Sequence, residues 1–265
     1  VAGGPRSVRL SVVVAGLALG IGLYLAIGQY RAWTRAGLIG LTERPCTAEG
    51  EPITGDPYDD WAALCFYRER NARLLAAGAQ PEVVMIGDSL TMGWPGLGPE
   101  DQDGAIVNRG IGRQSSGQVL LRFMADAVRL RPRFAHILVG TNDVAGTTGP
   151  AAPGQLRDNV IAMIEIARAN RIGVILGTVP PARGFDFGAR GDPREAIARA
   201  NAELAAIARE QPGVVLADYH AVLSNPDGSV RQGLFLDGVH PDAAGYAAMR
   251  PVFERALGQA ISGSR

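Results

Sequence analysis

Glu82-Val83-Val84-Met85-Ile86-Gly87-Asp88-Ser89-Leu90-Thr91 is a short apolar run closed by a Gly-Asp-Ser turn. Four similar runs follow it: Ala105–Val107, Phe134–Val139, Ile172–Leu176 and Val214–Leu216. Runs this short and continuously apolar read as strands buried on both faces. Helical patterns lie between or after them. Leu156, Val160, Met163 and Ala167 share one face, and Ile197, Ala200, Leu204 and Ile207 share another. A last helix is predicted over Ala243–Ala260, and an earlier one over Tyr58–Ala77 with Trp61, Leu64, Cys65, Arg68 and Leu75 near one face. This alternation predicts an α/β three-layer sandwich around a mainly parallel, five-stranded sheet. In such sheets chemistry gathers at the carboxyl ends of the strands, so the polar residues just past each run are the informative ones.

Composition supports a single enzyme-sized core. The 265 residues are 47% apolar and 20% charged, with 35 Gly and 17 Pro, which excludes coiled-coil, collagen-like and disordered classes. All 26 basic residues are Arg, against 26 Asp plus Glu. Residues 1–35 hold Arg6, Arg9, Arg31 and Arg35 and no acid, leaving the remainder net acidic. That balance gives no electrostatic footprint for nucleic acid.

Leu10–Tyr30 carries no charge. As a helix at about 1.5 Å per residue it would span roughly 30 Å, the thickness of a bilayer's hydrocarbon core. The expectation is an N-terminal transmembrane signal anchor (1–35), a linker with a leading helix (36–80), and a catalytic domain (81–265). A cleaved signal peptide is the alternative. The flanking arginines do not settle orientation. Cys46 and Cys65 both follow the span, and an even pair suits a disulfide in an oxidising compartment. The catalytic domain is therefore expected outside the cytoplasm, periplasmic or extracellular, either membrane-anchored or, if the leader is cleaved, secreted.

Four strand ends carry candidate chemistry. Ser89 leaves the first strand on a turn, where a nucleophile can be presented, though Gly-Asp-Ser alone also suits an ordinary turn. Asn108-Arg109-Gly110-Ile111-Gly112 follows the second strand, where glycine lets a backbone N–H face a site. Its partial Gly-x-Gly-x-x-Ser resemblance to a dinucleotide loop lacks the third glycine and the opening position, so no nicotinamide or flavin cofactor is expected. Gly140-Thr141-Asn142-Asp143 offers the Asn142 amide to an oxyanion, or simply a cap. Near the C-terminus, Asp237-Gly238-Val239-His240-Pro241 places a carboxylate three residues from a histidine, a pairing that can orient a general base. His220 is the competing base, and His136 reads as a core residue. No histidine pair has metal-ligand spacing, so no metal is expected.

Taken together, Gly-Asp-Ser-Leu, Asn-Arg-Gly-Ile-Gly, Gly-Thr-Asn-Asp and Asp-Gly-Val-His-Pro resemble, in order, the blocks of the SGNH (GDSL-type) hydrolases. The forms resemble most the branch of platelet-activating-factor acetylhydrolase-like and bacterial lysophospholipase-like esterases. The resemblance implies a flavodoxin-like sandwich and cofactor-free ester hydrolysis through an acyl-enzyme. Ser89, Asp237 and His240 would be catalytic, with Ser89, Gly110 and Asn142 forming the oxyanion hole. Trp94, Arg113 and the Gly184–Gly188 loop, Phe185 foremost, are candidates to line a pocket for a short-chain acyl or alcohol group. An O-acyltransferase or deacetylase acting on envelope carbohydrate is the alternative, and a non-enzymatic carbohydrate-binding envelope protein a third reading. Natural substrate, acyl length and oligomeric state are not legible.

Overall fold

A computed structural model of the chain describes residues 18–30, 60–97, 105–149, 152–186, 188 and 190–263. The chain divides into two compact units, Val1–Thr47 and Ala48–Arg265. In the first, residues 18–30 form helix α1, exposed along its length. At about 1.5 Å per residue its described part covers about 20 Å. Among the described residues no helix is long and apolar enough to cross a membrane. The expected span is thus seen only in its second half, and residues 10–17 lie outside the described residues. So do Cys46 and most of the linker; Cys65 itself is disulfide-bonded.

The second unit alternates strand and helix as the apolar runs imply. Its order is α2 (Arg68–Ala76), β1 (Val83–Gly87), α3 (Ser89–Met92), β2 (Ile106–Gly110), α4 (Ser116–Asp126), β3 (Phe134–Leu138), α5 (Thr141–Ala145), α6 (Gln155–Ala169), β4 (Gly173–Gly177), α7 (Arg194–Glu210), β5 (Val214–Ala217), α8 (Tyr219–Leu223) and α9 (Ala243–Gly263). The five strands form one sheet in the order β2-β1-β3-β4-β5. Every neighbouring pair is parallel. This is the flavodoxin-like arrangement, whose order reverses between β1 and β3.

Side chains alternate across a strand, so each strand feeds two cores. Val84, Ile86, Ala135, Ile137, Val174 and Leu176 meet α4, α6 and α7 through residues such as Phe123, Met163 and Leu204. Val83, Met85, Phe134, Leu138 and Ile175 meet α8 and α9 through Tyr219, Met249 and Phe253. Each large side chain so buried contributes about 1.5–3 kcal/mol relative to exposure. The faces predicted for α6 and α7 are the buried ones.

The leading helix departs from its prediction. Residues 61–67 are mostly turns, Ala63 has φ 55°, and the helix starts at Arg68. Asp60 turns the chain by accepting the N–H groups of Leu64 and Cys65. Its buried face carries Asn71 and Leu74, while Trp61, Leu64 and Leu75 are exposed. The reason is a buried polar network under α2. Asn71 Oδ1 accepts from Arg109 Nε at 2.7 Å, and its Nδ2 donates to Asp126 Oδ1 at 2.7 Å. A hydrophobic count cannot find a face built on an asparagine.

Candidate active site

The turn leaving β1 positions Ser89. Gly87 lies so close to β3 that a Cβ there would stand 2.1 Å from the carbonyl oxygen of Leu138. Asp88 follows as N-cap of α3, its Oδ1 accepting the N–H of Leu90 at 2.9 Å. Ser89 is therefore the first residue of a short helix at the carboxyl end of β1, beside the central strand.

His240 reaches it from the loop before α9. Its Nε2 is 2.9 Å from Ser89 Oγ, and its Nδ1 is 2.7 Å from Asp237 Oδ2. The other oxygen of Asp237 accepts the N–H groups of Val239 (2.9 Å) and His240 (2.8 Å), which holds the loop against its own backbone. Arg183 clasps the same loop by donating its N–H to Gly238 O at 2.8 Å. Burial works against the Asp237 charge, but those N–H groups and the imidazole outweigh it and bring the carboxyl down to about 2. An ionised Asp237 can only accept, so the proton sits on Nδ1 and the Nε2 lone pair faces the serine hydroxyl.

Asn142 approaches from the first turn of α5, beyond β3, on the other side of the strand-order reversal. Its Nδ2 donates to Asp88 Oδ2 at 3.2 Å. Asp88 is fully buried; burial foremost, and then the charge of Asp143, push its carboxyl up to about 7, against the pull of Leu90 N–H, His240 and Asn142. Asp143 is itself raised by burial while accepting the Ser116 hydroxyl and N–H, which locks α5 to the start of α4.

Gly110 and Trp94 have other surroundings than expected, while Arg113 and Phe185 stay open as lining candidates. Gly110 is not placed as an oxyanion donor: its N–H is given to Asn108 Oδ1 at 2.8 Å. The glycine there serves close packing, since a Cβ would stand 2.1 Å from the backbone nitrogen of Met92 in α3. Gly112 is the neighbour of the serine, where a Cβ would lie 4.0 Å from Ser89 Cβ. Trp94 is 3% exposed and belongs to the core, ringed by His136, Tyr219, Tyr246 and Phe253. Phe185 is half-buried against the α6–α7 core. Arg113 is exposed, with a left-handed backbone at φ 66°.

The other histidines lie elsewhere. His136 is wholly buried, its Nε2 2.7 Å from the Tyr219 hydroxyl, and burial brings it down to about 3, so it stays neutral. His220 Nδ1 is 3.3 Å from Ser224 Oγ, and its ring lines an open hollow of about 660 Å³ with Arg194 and Asp227. Among the described residues no three His, Cys, Asp or Glu side chains cluster in a way that could hold a metal. The residue that the sequence reading missed is Asp88; Gly-Asp-Ser suggests only a turn until the fold brings Asn142 to its second oxygen.

A serine hydrogen-bonded to an imidazole thus stands at the strand ends of a parallel sheet. Residues 85–248 match the GDSL-like Lipase/Acylhydrolase family. A GDSL-like lipase from Bacteroides thetaiotaomicron is similar at 33% identity and TM-score 0.68, over 75% of this chain and 98% of that one. A protein from Streptococcus pneumonia described as a candidate platelet activating factor shares the fold at 23% identity and TM-score 0.61, over 72% of this chain and 90% of that one. Among curated proteins, the uncharacterized lipoprotein YqeF of Bacillus subtilis is 38% identical over 79 residues, 29% of this chain and 32% of its own length. That match thus spans about a third of the relative. The class is an ester hydrolase. The chain belongs to the GDSL-like lipase/acylhydrolase family, the SGNH hydrolases.

Proposed function

We propose that the protein hydrolyses carboxylic esters of short acyl groups through an acyl-enzyme on Ser89. The observation that carries this is the continuous chain Asp237–His240–Ser89, with contacts of 2.7 and 2.9 Å. Ser89 Oγ attacks the ester carbonyl as His240 Nε2 takes its proton, and Asp237 stabilises the imidazolium. The Ser89 backbone N–H, the Asn142 amide and the Gly112 segment stabilise the oxyanion. His240 then protonates the leaving alcohol, and water repeats the steps in reverse. The space behind α3 is filled: Trp94 is core, and the Tyr246 hydroxyl lies where a Cβ on Gly93 would be 2.7 Å away. That closed wall supports a short acyl group rather than a long chain running into the core.

Ser89→Ala should fold normally and lose about 10⁴-fold or more in kcat, since the nucleophile alone is removed. A fluorophosphonate should label the unsubstituted protein at Ser89. Substantial turnover in the variant, or labelling at another residue, refutes the assignment. A panel of esters graded in acyl length tests the closed wall.

We also infer that the uncharged Leu10–Tyr30 stretch directs the hydrolase out of the cytoplasm, with Cys46 bonded to Cys65; the partial likeness to a lipoprotein agrees with a membrane-held relative. A C-terminal fusion reporter active only outside the cytoplasm should be active. Two free thiols and a silent reporter refute this placement.

A further inference from the structure

We propose that Asp88 is a positioning residue for the oxyanion amide: its buried carboxylate fixes which end of the Asn142 side chain faces the reacting carbonyl. The proposal rests on the esterase reading above. Its two oxygens do different work. Oδ1 takes the Leu90 N–H at 2.9 Å and caps the helix carrying Ser89, while Oδ2 takes Asn142 Nδ2 at 3.2 Å. One side chain thus ties the nucleophile's helix to the oxyanion amide's helix across the strand-order reversal.

Capping alone does not explain the residue. Serine or asparagine caps as well as aspartate does, and neither brings an ionisable group into a fully buried position, where a carboxylate is costly. What a carboxylate adds is a second oxygen that, in the ionised form the Asn142 contact favours, can only accept. An asparagine amide can turn about its last torsion and exchange O for N with little change of shape. Turned the wrong way, Asn142 would put its carbonyl oxygen toward a developing negative charge. Ionised, Asp88 Oδ2 accepts the Asn142 Nδ2–H, as its 3.2 Å contact has it, and repels a carbonyl oxygen, so it selects the orientation in which the second N–H of Asn142 is left for the oxyanion. Asn142 is itself buried, so water is poorly placed to do this instead.

The test is a double-mutant cycle read by kcat and KM on p-nitrophenyl acetate, with folding checked by circular dichroism and melting. Asn142→Ala should lower kcat by about 10²–10³-fold. Asp88→Asn should lower kcat by about tenfold with KM nearly unchanged, and should add almost nothing in the Asn142→Ala background. Asp88→Ser keeps a cap for Leu90 but is too short for Asn142, and should behave in the same way. Equal losses from Asp88→Asn in both backgrounds overturn the proposal alone. An Asn142→Ala variant with unchanged kcat overturns the oxyanion role of Asn142, and the proposal with it. If neither Asp88 variant folds, side-chain amide exchange measured by NMR on the unsubstituted protein decides: one protected Asn142 proton supports the proposal, and free exchange of both overturns it.

Discussion

Replacing Arg122 by methionine keeps the length of a core side chain and removes its charge. Arg122 is wholly buried in α4 and donates four ways. Its partners are Gly87 O at 2.9 Å, Arg109 O at 2.7 Å, Gln114 Oε1 at 2.5 Å and Asp126 Oδ2 at 3.2 Å. Methionine leaves Asp126 buried without its main cation, a loss of about 3–5 kcal/mol, and takes a donor from Gln114 Oε1 and from the Arg109 carbonyl at about 1–3 kcal/mol each, while Gly87 O keeps the Ile111 N–H at 3.0 Å. With some relaxation and water entry, the net loss should be about 5 kcal/mol, close to the whole stability of many domains. Urea denaturation of the full chain measures it. The pH dependence gives a second check. Burial raises the Asp126 carboxyl, while Arg122 is the main group pulling it back down. Without Arg122, Asp126 in the fold should rise further above its unfolded value. The stability gained by holding that proton is full below the unfolded value and is lost as pH rises through the folded one, so the deficit should be smaller at about pH 5 than at about pH 8. Asp126→Asn added to Arg122→Met should recover part of the loss, because Asn71 keeps an acceptor and the unpaired charge is gone. A deficit under about 1 kcal/mol, or one that grows on acidification, refutes the account.

His136 gives the opposite sign. Its folded value of about 3 lies below the ordinary 6.5, so stability is full above 6.5 and drains away toward 3. His136→Gln should flatten the stability–pH slope in that window by up to about 1.4 kcal/mol per pH unit, and parallel slopes for the two proteins would contradict this. Gly110→Ala should lose stability and activity together, because its Cβ would be driven into the backbone of the helix that carries Ser89. Gly112→Ala should fold well and show its effect in kcat. Equal melting temperatures for the two alanine variants would sink that distinction.

How far the sequence carries depends on which interaction sets each element. Val83 to Ile86 alternate between two apolar layers, so β1 is legible from hydrophobicity, and so are β3, β4 and the faces of α6 and α7. β2 is legible only at its start, since Asn108 and Arg109 continue it. Their polarity is tolerated because Asn108 bonds Thr91 O and Gly110 N–H, while Arg109 bonds Asn71 and lies 4.7 Å from the Tyr67 ring centre. These partners are far away in the chain or invisible to a pattern of apolar residues. The meeting of Ser89, His240 and Asp237 is one that turn residues and spacing point to. Gly110 and Trp94 were not, because glycine and tryptophan suit a site and a tight core equally well, and only neighbours such as Met92 and Phe253 decide.

The two halves of the site are built unequally, and that constrains how each contributes. Asp88 and Asn142 stand in a buried wall where a hydrogen bond keeps its strength and a misplaced dipole has no water to correct it. The side chains of His240 and Asp237 are 39% and 55% exposed, so solvent screens the attraction between carboxylate and imidazolium. In the proposed mechanism Asp237 therefore acts chiefly through geometry: its two bonds to backbone N–H groups fix its own position, and its bond to Nδ1 fixes the tautomer and plane of the ring. Because its carboxyl lies near 2, it is ionised throughout the range in which the fold is expected to persist. Any loss of activity on mild acidification must then arise in a group other than Asp237. Asp88, held at about 7 by burial, is one such group, and its protonation would change what it offers Asn142. The exposed half thus moves the proton, and the buried half sets how well the transition state is held once it has moved.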